Sequence, residues 1–296
     1  MKIGIIGGSG LYQMDGLEGV KELRIDTPFG APSDEFVSGK LGDADMVFLP
    51  RHGRGHTLLP GELNHRANIY AMKKLGVTHI VSISAVGSLK ESLAPRDVVI
   101  VDQYFDRTKK GQEHSFFGNG IVAHVGFGDP ACPELRELAC QAASEAVSEA
   151  KSEVRSPKVH GFGTYVNMEG PAFSTKAESK LYKTWGFDVI GMTNLGEAKL
   201  AREAEICYCT VAMVTDYDCW HPDHEHVTVK MILDNLHANA SLAKDIVRKI
   251  AKGKASLKQA CPCPRALETA IVTRPEQLSP ELKTKLAPII GKYIPA

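Results

Sequence analysis

The chain has 296 residues, of which 43% are hydrophobic and 24% charged, which is ordinary for a globular protein with a substantial core. Its formal net charge is +0, which argues against nucleic acid as the main partner, since a phosphate backbone demands a basic excess. No apolar stretch approaches the roughly 20 residues that span a bilayer, and no signal-peptide pattern is present, so we expect a cytoplasmic protein without a membrane partner.

Apolar runs and helical patterns alternate along the chain. The runs predict β-strands over residues 3–6, 46–49, 79–84, 98–101, 121–124, 165–168, 189–192 and 206–214. The helical patterns predict helices over residues 62–75, 133 to about 152, 175–186, 227–251 and 280–287. Thr175 and Glu178 form a capping-box pattern, and Gly76 suits the end of the first helix. We therefore expect an α/β fold, with one domain over residues 1–252 and a helical extension packed on it over residues 253–296.

Two aspartates, Asp216 and Asp218, follow the last predicted strand. Ligands of α/β proteins bind beyond the carboxyl ends of the strands, and these alternate positions would point the same way if the strand continued. A carboxyl in such a partly desolvated pocket tends to keep its proton, which it could donate to a base ring. The alternative is that the pair ends the strand and caps the following loop. On these residues alone, neither interpretation is favoured over the other.

Three other strand ends predict an anion site. Ser9 lies in the glycine-rich segment after the first strand, where main-chain N–H groups can surround an anion. Arg51 and His52 follow the next strand, and the planar arginine fork matches phosphate oxygens. Ser84 and Ala85 lie at the end of the third of these strands, and they are small residues like those that follow the first strand. The alternatives are a plain turn at the glycines and a basic surface loop after the second strand. A dinucleotide-binding fingerprint is disfavoured because no glycine stands at position 13, and a histidine metal pair because two glycines make a helix there unlikely.

Two later strand-to-loop junctions add candidate ligand contacts. Phe173 could stack on a flat heteroaromatic ring, Met192 could pack against a sugar face, and Thr193 could bind the same anion. Each of these residue types, taken singly, is more often part of a core. Their position at successive strand ends favours ligand contact.

Seven cysteines do not predict a secreted disulfide framework in a chain of this length. Cys261 and Cys263 lie in a Cys-Pro-Cys-Pro segment and could bind metal, cycle between redox states or form a strained disulfide, and the sequence leaves these alternatives open. A Cys140–Cys207 disulfide is a further alternative. The histidine-rich residues 221–226 are irregularly spaced and favour a solvated loop over a metal site. No metal-binding residue is assigned.

Taken together, these motifs resemble the purine nucleoside phosphorylase/methylthioadenosine phosphorylase family from about residue 2 to residue 252. The matching segments are residues 7–10, 27–30, 51–54, 102–108, 168–173, 191–193 and 215–220. The resemblance implies a single-domain nucleoside phosphorylase fold, in which helices surround a central distorted mixed β-sheet. It also implies a homo-oligomer, either a trimer or a hexamer. Residues 194–196 depart from the family pattern, and the tail beyond residue 252 matches poorly.

The resemblance also implies a role for each matching residue. It assigns phosphate binding to Ser9, Arg51, His52, Ser84, Ala85 and Thr193. It assigns ribose, base and 5′ contacts to Met192, Phe173, Asp216, Asp218, Pro60 and His124, the last from a neighbouring subunit. Ser174 and Val229 stand where relatives that act on 6-oxopurines carry Glu and His. A hydroxyl suits the acceptor N1 of adenine, and an apolar residue suits a 5′-methylthio group.

The implied activity is phosphorolysis of S-methyl-5′-thioadenosine to adenine and 5-methylthio-α-D-ribose 1-phosphate, a step of purine and methionine salvage. Inorganic phosphate would be the nucleophile and a co-substrate, and no cofactor or metal is implied. Asp216 would protonate or hydrogen-bond the purine N7, with Asp218 as its partner. The alternatives are a broader phosphorylase that accepts adenosine or methylthioinosine, a hydrolytic nucleosidase and a non-catalytic nucleotide sensor.

Overall fold

A computed structural model describes residues 1–8, 10–11, 14–150, 155–222, 229–258 and 260–295, with only the main chain described at 229–234 and 236–238. The strands are β1 (Lys2–Gly7), β2 (Leu17–Leu23), β3 (Phe36–Leu41), β4 (Ala44–Pro50), β5 (His79–Ser88), β6 (Val98–Val101), β7 (Gln103–Arg107), β8 (Val159–His160), β9 (Thr164–Met168), β10 (Val189–Gly191) and β11 (Cys207–Asp216). The α-helices are α1 (His65–Lys74), α2 (Pro133–Glu149), α3 (Lys176–Thr184), α4 (Asn194–Glu203), α5 (Val229–Gly253) and α6 (Pro280–Ile290).

All eleven strands belong to one mixed sheet. Its path runs β2-β3-β4-β1-β5-β10-β9-β7, and β11 branches from β5 to pair with β6, which also pairs with β8. At the centre, β4, β1, β5 and β11 run parallel, whereas β10 is antiparallel to β5. This branched sheet confirms the predicted α/β fold with a distorted mixed sheet.

The branching leaves a gap along one edge of β5. β1 pairs with β5 as far as Ser82, and β10 pairs with it from Gly87. In the described part of the chain no strand pairs with this edge between those two residues, while the other edge pairs with β11. Alternate residues of a strand direct their main-chain groups to the same edge, so the Ala85 N–H and the Ile83 carbonyl both face the opening. We call this opening the β5 gap.

Helices cover both faces of the sheet. Because side chains alternate along β1, Ile5 packs in a core with α2 and α5 on one face, and Ile6 packs in a core with α1, α4 and α6 on the other. The segment 253–295 contributes to both cores, for example through Leu257 and Leu286. The division of the chain at residue 252 stays a prediction. Within the described residues, no helix has the length and apolar character that crossing a membrane requires.

Most predicted elements are present, with shifted ends. The capping box of Thr175 and Glu178 is confirmed at the start of α3. The first helix begins later than predicted, because Asn64 caps it through a hydrogen bond from the N–H of Ala67. The helix α6 continues through Pro288, which lies in its last turn and removes only one helical hydrogen bond.

Other predictions were wrong or incomplete. The predicted strand over residues 121–124 forms only isolated bridges, since Ala123 pairs singly with Ile271 of the C-terminal segment. The strands β2, β3, β7 and β8 and the helix α4 were not predicted. β2 is almost wholly exposed, so it lacks the apolar alternation that marks a strand.

Candidate active site

The strand β11 ends at Asp216, whose carboxyl group is buried with 5% of the residue exposed. Its Oδ1 accepts a hydrogen bond from the Asp218 main-chain N–H at 2.8 Å, and its Oδ2 accepts one from the Thr215 hydroxyl at 2.7 Å. Burial raises the pKa of Asp216 to about 6, although both hydrogen bonds favour the ionised form, and Asp218 adds to the increase. The carboxyl can therefore hold a proton close to neutral pH.

Asp218 lies beside Asp216 and is also buried, with 7% exposure. Burial raises the pKa of its carboxyl group, and the hydroxyls of Ser179 and Ser174 only partly offset that increase. Its Oδ2 atom accepts no hydrogen bond from any residue that the structure describes. A buried carboxylate oxygen without a partner is costly, so it marks a position where a ligand donor would be stabilised.

The two aspartates meet through a turn and not through strand alternation. The pairing of β11 with β5 shifts register between Val214 and Asp216, and the strand stops there. Asp218 has a left-handed backbone with φ of 49°, which turns its side chain back towards the strand end. The sequence analysis expected both carboxyls to point the same way only if the strand continued, and that condition is not met, although the pair is brought together.

Gly87 of β5 makes room for this pair. A Cβ atom at this position would lie 3.0 Å from Asp216 Oδ1 and 3.5 Å from Asp218 Cβ. Because Gly87 also closes one end of the β5 gap, the acid pair and the gap are adjacent. The carboxyl end of the central strands thus places acidic groups directly beside open main-chain groups.

The other side of the β5 gap faces the start of α4. Thr193 is the N-cap of this helix, and its hydroxyl makes no capping hydrogen bond but donates to Asn194 Oδ1 at 3.3 Å. The first N–H groups of a helix and its dipole attract an anion. Extension of the β10–β5 register places Met192 and Thr193 opposite Ala85 and Ser84. A phosphate in the gap would meet donors from both elements.

Arg51 is buried beneath this gap, with 3% exposure. Its Nε donates to Glu197 Oε1 at 2.6 Å, and its Nη1 donates to the Ile83 carbonyl at 3.0 Å. Its Nη2 donates to the Ser82 hydroxyl, which itself donates to Glu197 Oε2 at 2.7 Å. Burial opposes ionisation of Glu197, but Arg51 holds the pKa of that carboxyl below its usual range. Much of the arginine charge is therefore balanced inside the protein.

His52 follows Arg51 and is half-buried. Its Nδ1 lies 2.9 Å from the Leu58 carbonyl, so this nitrogen carries the hydrogen in the neutral ring, which also stacks on His56 at 4.4 Å. Burial, followed by the charge of Arg51, lowers the pKa of His52 to about 4. The ring is neutral near pH 7, and a bound dianion would favour its protonation.

Three buried residues near the site were not recognised in the sequence. Glu197 balances Arg51, and Asn194 donates to the hydroxyls of Ser82 at 2.7 Å and Thr210 at 3.1 Å. The Tyr165 hydroxyl is buried near Ser84 and the Thr193 main chain without forming a full hydrogen bond, and burial raises the pKa of Tyr165 to about 12. No local sequence signal marks them, because each acts through residues from distant segments.

The remaining predicted contacts lie around this centre with more exposure. Phe173 and His124 are exposed, Pro60 and Met192 are partly buried, and the Ser174 hydroxyl contacts Met168 Sδ at 3.8 Å. Asn167 donates to the Met192 carbonyl at 3.2 Å and accepts from the Leu195 N–H at 3.0 Å, which fixes the chain between β10 and α4. Ser9 and the side chain of Val229 lie outside the described residues, as does most of the segment 221–226.

Comparisons with known proteins agree on one family. A family model described as the phosphorylase superfamily matches residues 2–252. The chain is 56% identical over 292 residues to S-methyl-5′-thioadenosine phosphorylase of Gloeobacter violaceus, an alignment that covers 99% of this chain and 96% of the relative.

Solved structures give the same result. A crystal structure of methylthioadenosine phosphorylase from an antarctic soil metagenomic library superposes with a TM-score of 0.90 at 48% identity, covering 97% of this chain and 98% of the other. A variant of adenosine/methylthioadenosine phosphorylase from Schistosoma mansoni, in complex with adenine, superposes with a TM-score of 0.83 at 37% identity. That alignment covers 91% of this chain and 99% of the other.

Proposed function

The chain belongs to the phosphorylase superfamily, and from that membership we infer that it cleaves S-methyl-5′-thioadenosine with inorganic phosphate. The products are adenine and 5-methylthio-α-D-ribose 1-phosphate, so the enzyme is a pentosyltransferase of purine and methionine salvage. The observation in the structure that best supports this activity is the buried pair of Asp216 and Asp218 beside the β5 gap. An acid for the leaving purine and donors for an oxyanion are there side by side.

Phosphate is proposed to bind in the β5 gap. The Ala85 N–H, the Ser84 hydroxyl and Thr193 at the start of α4 supply donors, with His52 nearby. We propose that Arg51 contributes a remaining Nη1 hydrogen and the part of its charge that Glu197 does not cancel. Ser9 completes the proposed set from the loop after β1. Such donors hold phosphate against C1′, and proximity of this kind is a large part of the rate enhancement.

Asp216 is proposed to act on the base. Charge develops on the purine as the glycosidic bond breaks through an oxocarbenium-like state, and a carboxyl with a pKa of about 6 can deliver a proton to N7. Asp218 holds Asp216 through its main-chain N–H, and its Oδ2, which has no partner among the described residues, would accept from the exocyclic amine. Phe173 would stack on the base and Met192 would contact the ribose. No protein nucleophile is required.

Specificity for the methylthio substrate is proposed to depend on Ser174 and Val229. Ser174 lies close to Asp218, where a hydroxyl can donate to adenine N1. Val229 begins α5, and an apolar residue there would leave a 5′-hydroxyl unpaired. Val229→His should therefore raise the specificity constant for adenosine relative to that for methylthioadenosine, measured as a ratio under one set of conditions. An unchanged ratio would contradict this assignment.

The assembly and the setting of the enzyme are further proposals. A homotrimer, or a hexamer formed as a pair of trimers, would allow His124 to complete the 5′ end of a neighbouring site together with Pro60, and His124 is exposed. Light scattering on the purified protein would give the oligomeric mass, and a monomer would contradict the proposal. The seven free cysteines suit the reducing cytoplasm. Phosphate is a co-substrate, and no cofactor is proposed.

The decisive assay measures adenine released from methylthioadenosine by phosphate-depleted enzyme, with and without added phosphate. A phosphorylase releases adenine only when phosphate is present and forms the sugar phosphate in equal amount. Equal release in its absence would identify a hydrolytic nucleosidase, and no release under either condition would indicate a nucleotide sensor.

A broader phosphorylase remains the second candidate. The observation that favours it is the likeness to a Schistosoma mansoni protein named for both adenosine and methylthioadenosine. Relative specificity constants for methylthioadenosine, adenosine and methylthioinosine separate the two. We expect methylthioadenosine to give the highest value.

A further inference from the structure

Four cysteines meet at the amino end of β11, remote from the acid pair. The sulphur atoms of Cys132, Cys207, Cys261 and Cys263 all lie within 4.8 Å of one another. All four residues are buried, with exposures of 0%, 1%, 6% and 2% respectively. They are free thiols, and the Sγ atoms of Cys207 and Cys261 lie 3.4 Å apart.

Three separate segments supply these thiols. Cys132 is the N-cap residue of α2, and Cys207 is the first residue of β11. The Cys132 N–H donates to the Tyr208 carbonyl at 2.8 Å, which fixes the first two segments together. Cys261 and Cys263 belong to the C-terminal segment, which the Ala260 N–H ties to Glu134 of α2 at 2.7 Å. The cluster is therefore formed by tertiary structure.

The local geometry around Cys261 and Cys263 suits two ligands from one short loop. Pro262 between them has φ of −74° and ψ of −11°, and Cys263 starts a single 3₁₀ turn. With this turn between them, the sulphurs of Cys261 and Cys263 lie within 4.8 Å of each other and of the sulphurs of Cys132 and Cys207.

We propose that these four cysteines form a tetrathiolate site for a divalent metal ion of the zinc type. Tetrahedral zinc with Zn–S bonds of about 2.3 Å requires sulphur–sulphur separations of about 3.8 Å. The 3.4 Å contact and the 4.8 Å upper limit in the cluster bracket that value. A structural zinc site has four protein ligands and no open position, and these four thiols make such a set.

Charge near the cluster supports thiolate ligands. Four thiolates around one Zn²⁺ leave a net charge of −2, which must be balanced locally. Arg202 acts electrostatically on Cys263, and its guanidinium donates to the main-chain carbonyls of Gly126 and Asp129. Arg136 and Arg202 line the same surface cleft as Cys263. This cleft also gives an ion a route from solvent to the cluster.

Two disulfides are the competing arrangement. Disulfide formation brings sulphur atoms to about 2.05 Å in pairs, so two pairs would be short and the pairs would separate from each other. In this structure the Cys207 sulphur instead lies 3.4 Å from the Cys261 sulphur and within 4.8 Å of the sulphurs of Cys132 and Cys263. One sulphur with three near neighbours is the geometry of a tetrahedron around a common centre. Cys140, an alternative partner for Cys207 in the sequence, lies outside the cluster.

The role of the site is structural. Cys207 and Asp216 are the two ends of β11, and nine steps of about 3.3 Å separate them by roughly 30 Å. The ion would not touch the substrate. It would join the C-terminal segment to α2 and to the central strand, so its binding free energy would stabilise the folded chain.

The test is the metal content of full-length protein purified under reducing conditions and without a metal-affinity tag. We expect about one zinc per chain by elemental analysis. Exchange with Co²⁺ should give the sulphur-to-cobalt charge-transfer bands and the intense visible bands of a tetrahedral thiolate site. Removal of zinc with a chelator should lower Tm, and added Zn²⁺ alone should restore it.

Variants distinguish this cluster from other thiols. Cys261→Ser should lower the zinc content several-fold, whereas Cys140→Ser is the matched control and should leave it unchanged. The wild-type measurement stands on its own if a cluster variant fails to fold. The proposal would be overturned if the purified wild-type protein contained no zinc and bound neither Zn²⁺ nor Co²⁺ when these ions were added. The proposal would also be overturned if the native protein contained one or two disulfide bridges, seen as a mass lower by two hydrogen atoms per bridge.

Discussion

Asp216 and Glu197 are both buried carboxyl groups near one catalytic centre, but their surroundings differ. Glu197 is 1% exposed and forms an ion pair with Arg51 at 2.6 Å. Asp216 is 5% exposed and receives its hydrogen bonds from a hydroxyl and a main-chain N–H. The pKa of Glu197 is lowered by Arg51, while burial raises the pKa of Asp216 to about 6.

This difference in surroundings suits the two carboxyl groups to different roles, one structural and one catalytic. A buried carboxylate with a cation stays ionised and holds its surroundings in place, as Glu197 does for Arg51 and Ser82. A buried carboxyl without a cation can keep a proton and give it to a substrate. In the proposed mechanism the same residue class thus anchors the phosphate side and serves as the acid on the base side.

The largest effect is expected from Asp216→Asn. Loss of a general acid typically lowers turnover about 10²–10⁴-fold, so kcat/KM for methylthioadenosine should fall by that factor. Activity on 6-oxopurine nucleosides should be spared or increased, because an amide suits a 6-oxo group. Adenine release under saturating phosphate measures the change. Asp26→Asn, at an exposed site, is the control and should retain full activity. Equal adenine release by both variants would show that Asp216 is not the acid.

Glu197→Gln should act mainly on stability. The change leaves the Arg51 charge buried without its partner, and loss of one member of a buried pair costs about 3–5 kcal/mol. The free energy of unfolding in urea measures it. The ion pair between Lys254 and the exposed Asp43 provides a control, since Asp43→Asn should cost less than about 1 kcal/mol. A cost for Glu197→Gln no larger than that of the control would contradict the anchoring role.

The two carboxyls should also give opposite pH dependence. The pKa of Asp216 is raised from 3.8 to about 6 on folding, so its protonation stabilises the folded state most at low pH. That stabilisation is lost as pH rises through the folded pKa, which corresponds to about 3 kcal/mol for a difference of about two pKa units. Asp216→Asn should therefore gain stability relative to wild type between about pH 4 and pH 6.

The lowered pKa of Glu197 predicts the reverse. Its contribution is present above its usual pKa of 4.5 and is lost as pH falls through its lower folded pKa. The difference in unfolding free energy between wild type and Glu197→Gln should consequently shrink under acidic conditions. Urea titrations at several pH values test both trends. If the unfolding free energies of Asp216→Asn and Glu197→Gln, each relative to wild type, changed with pH in the same direction, the opposite pH dependence of the two carboxyls would be refuted.

The smallest effect is expected from Tyr165→Phe. Its buried hydroxyl lies near Ser84 and the Thr193 main chain without a full hydrogen bond to any described residue, and we expect it to donate to bound phosphate. Loss of one such hydrogen bond, worth about 0.5–1.5 kcal/mol, should raise KM for phosphate about 2- to 12-fold and leave KM for methylthioadenosine unchanged. Tyr293→Phe, in the C-terminal segment, is the control. Equal changes in both KM values would indicate a purely structural role.

Part of the site could be predicted because its residues are close together in the chain. Asp216 and Asp218 follow a clear buried strand, and Arg51 follows another, so position at strand ends was sufficient to select them. The direction of the second aspartate could not be predicted, because a register shift and a left-handed residue are not visible in an apolar pattern.

The remaining parts of the site and the fold depend on contacts between residues that are far apart in the chain. Glu197 is 146 residues from Arg51, and the β5 gap exists only because β1 and β10 pair with different parts of one strand. The helix α4 was missed for a related reason, since its buried glycine and asparagine weaken the helical pattern while tertiary contacts stabilise it. The sheet order and the four-cysteine cluster likewise required the three-dimensional structure.

The most direct test of the central claim is a crystal structure with adenine and phosphate bound. The account predicts an Asp216 carboxyl oxygen about 2.6–3.2 Å from purine N7, and phosphate in the β5 gap within reach of the Ala85 N–H and Thr193. A purine whose N7 faces solvent or another residue, with the Asp216 carboxyl still bonded only to Thr215 and Asp218, would contradict it.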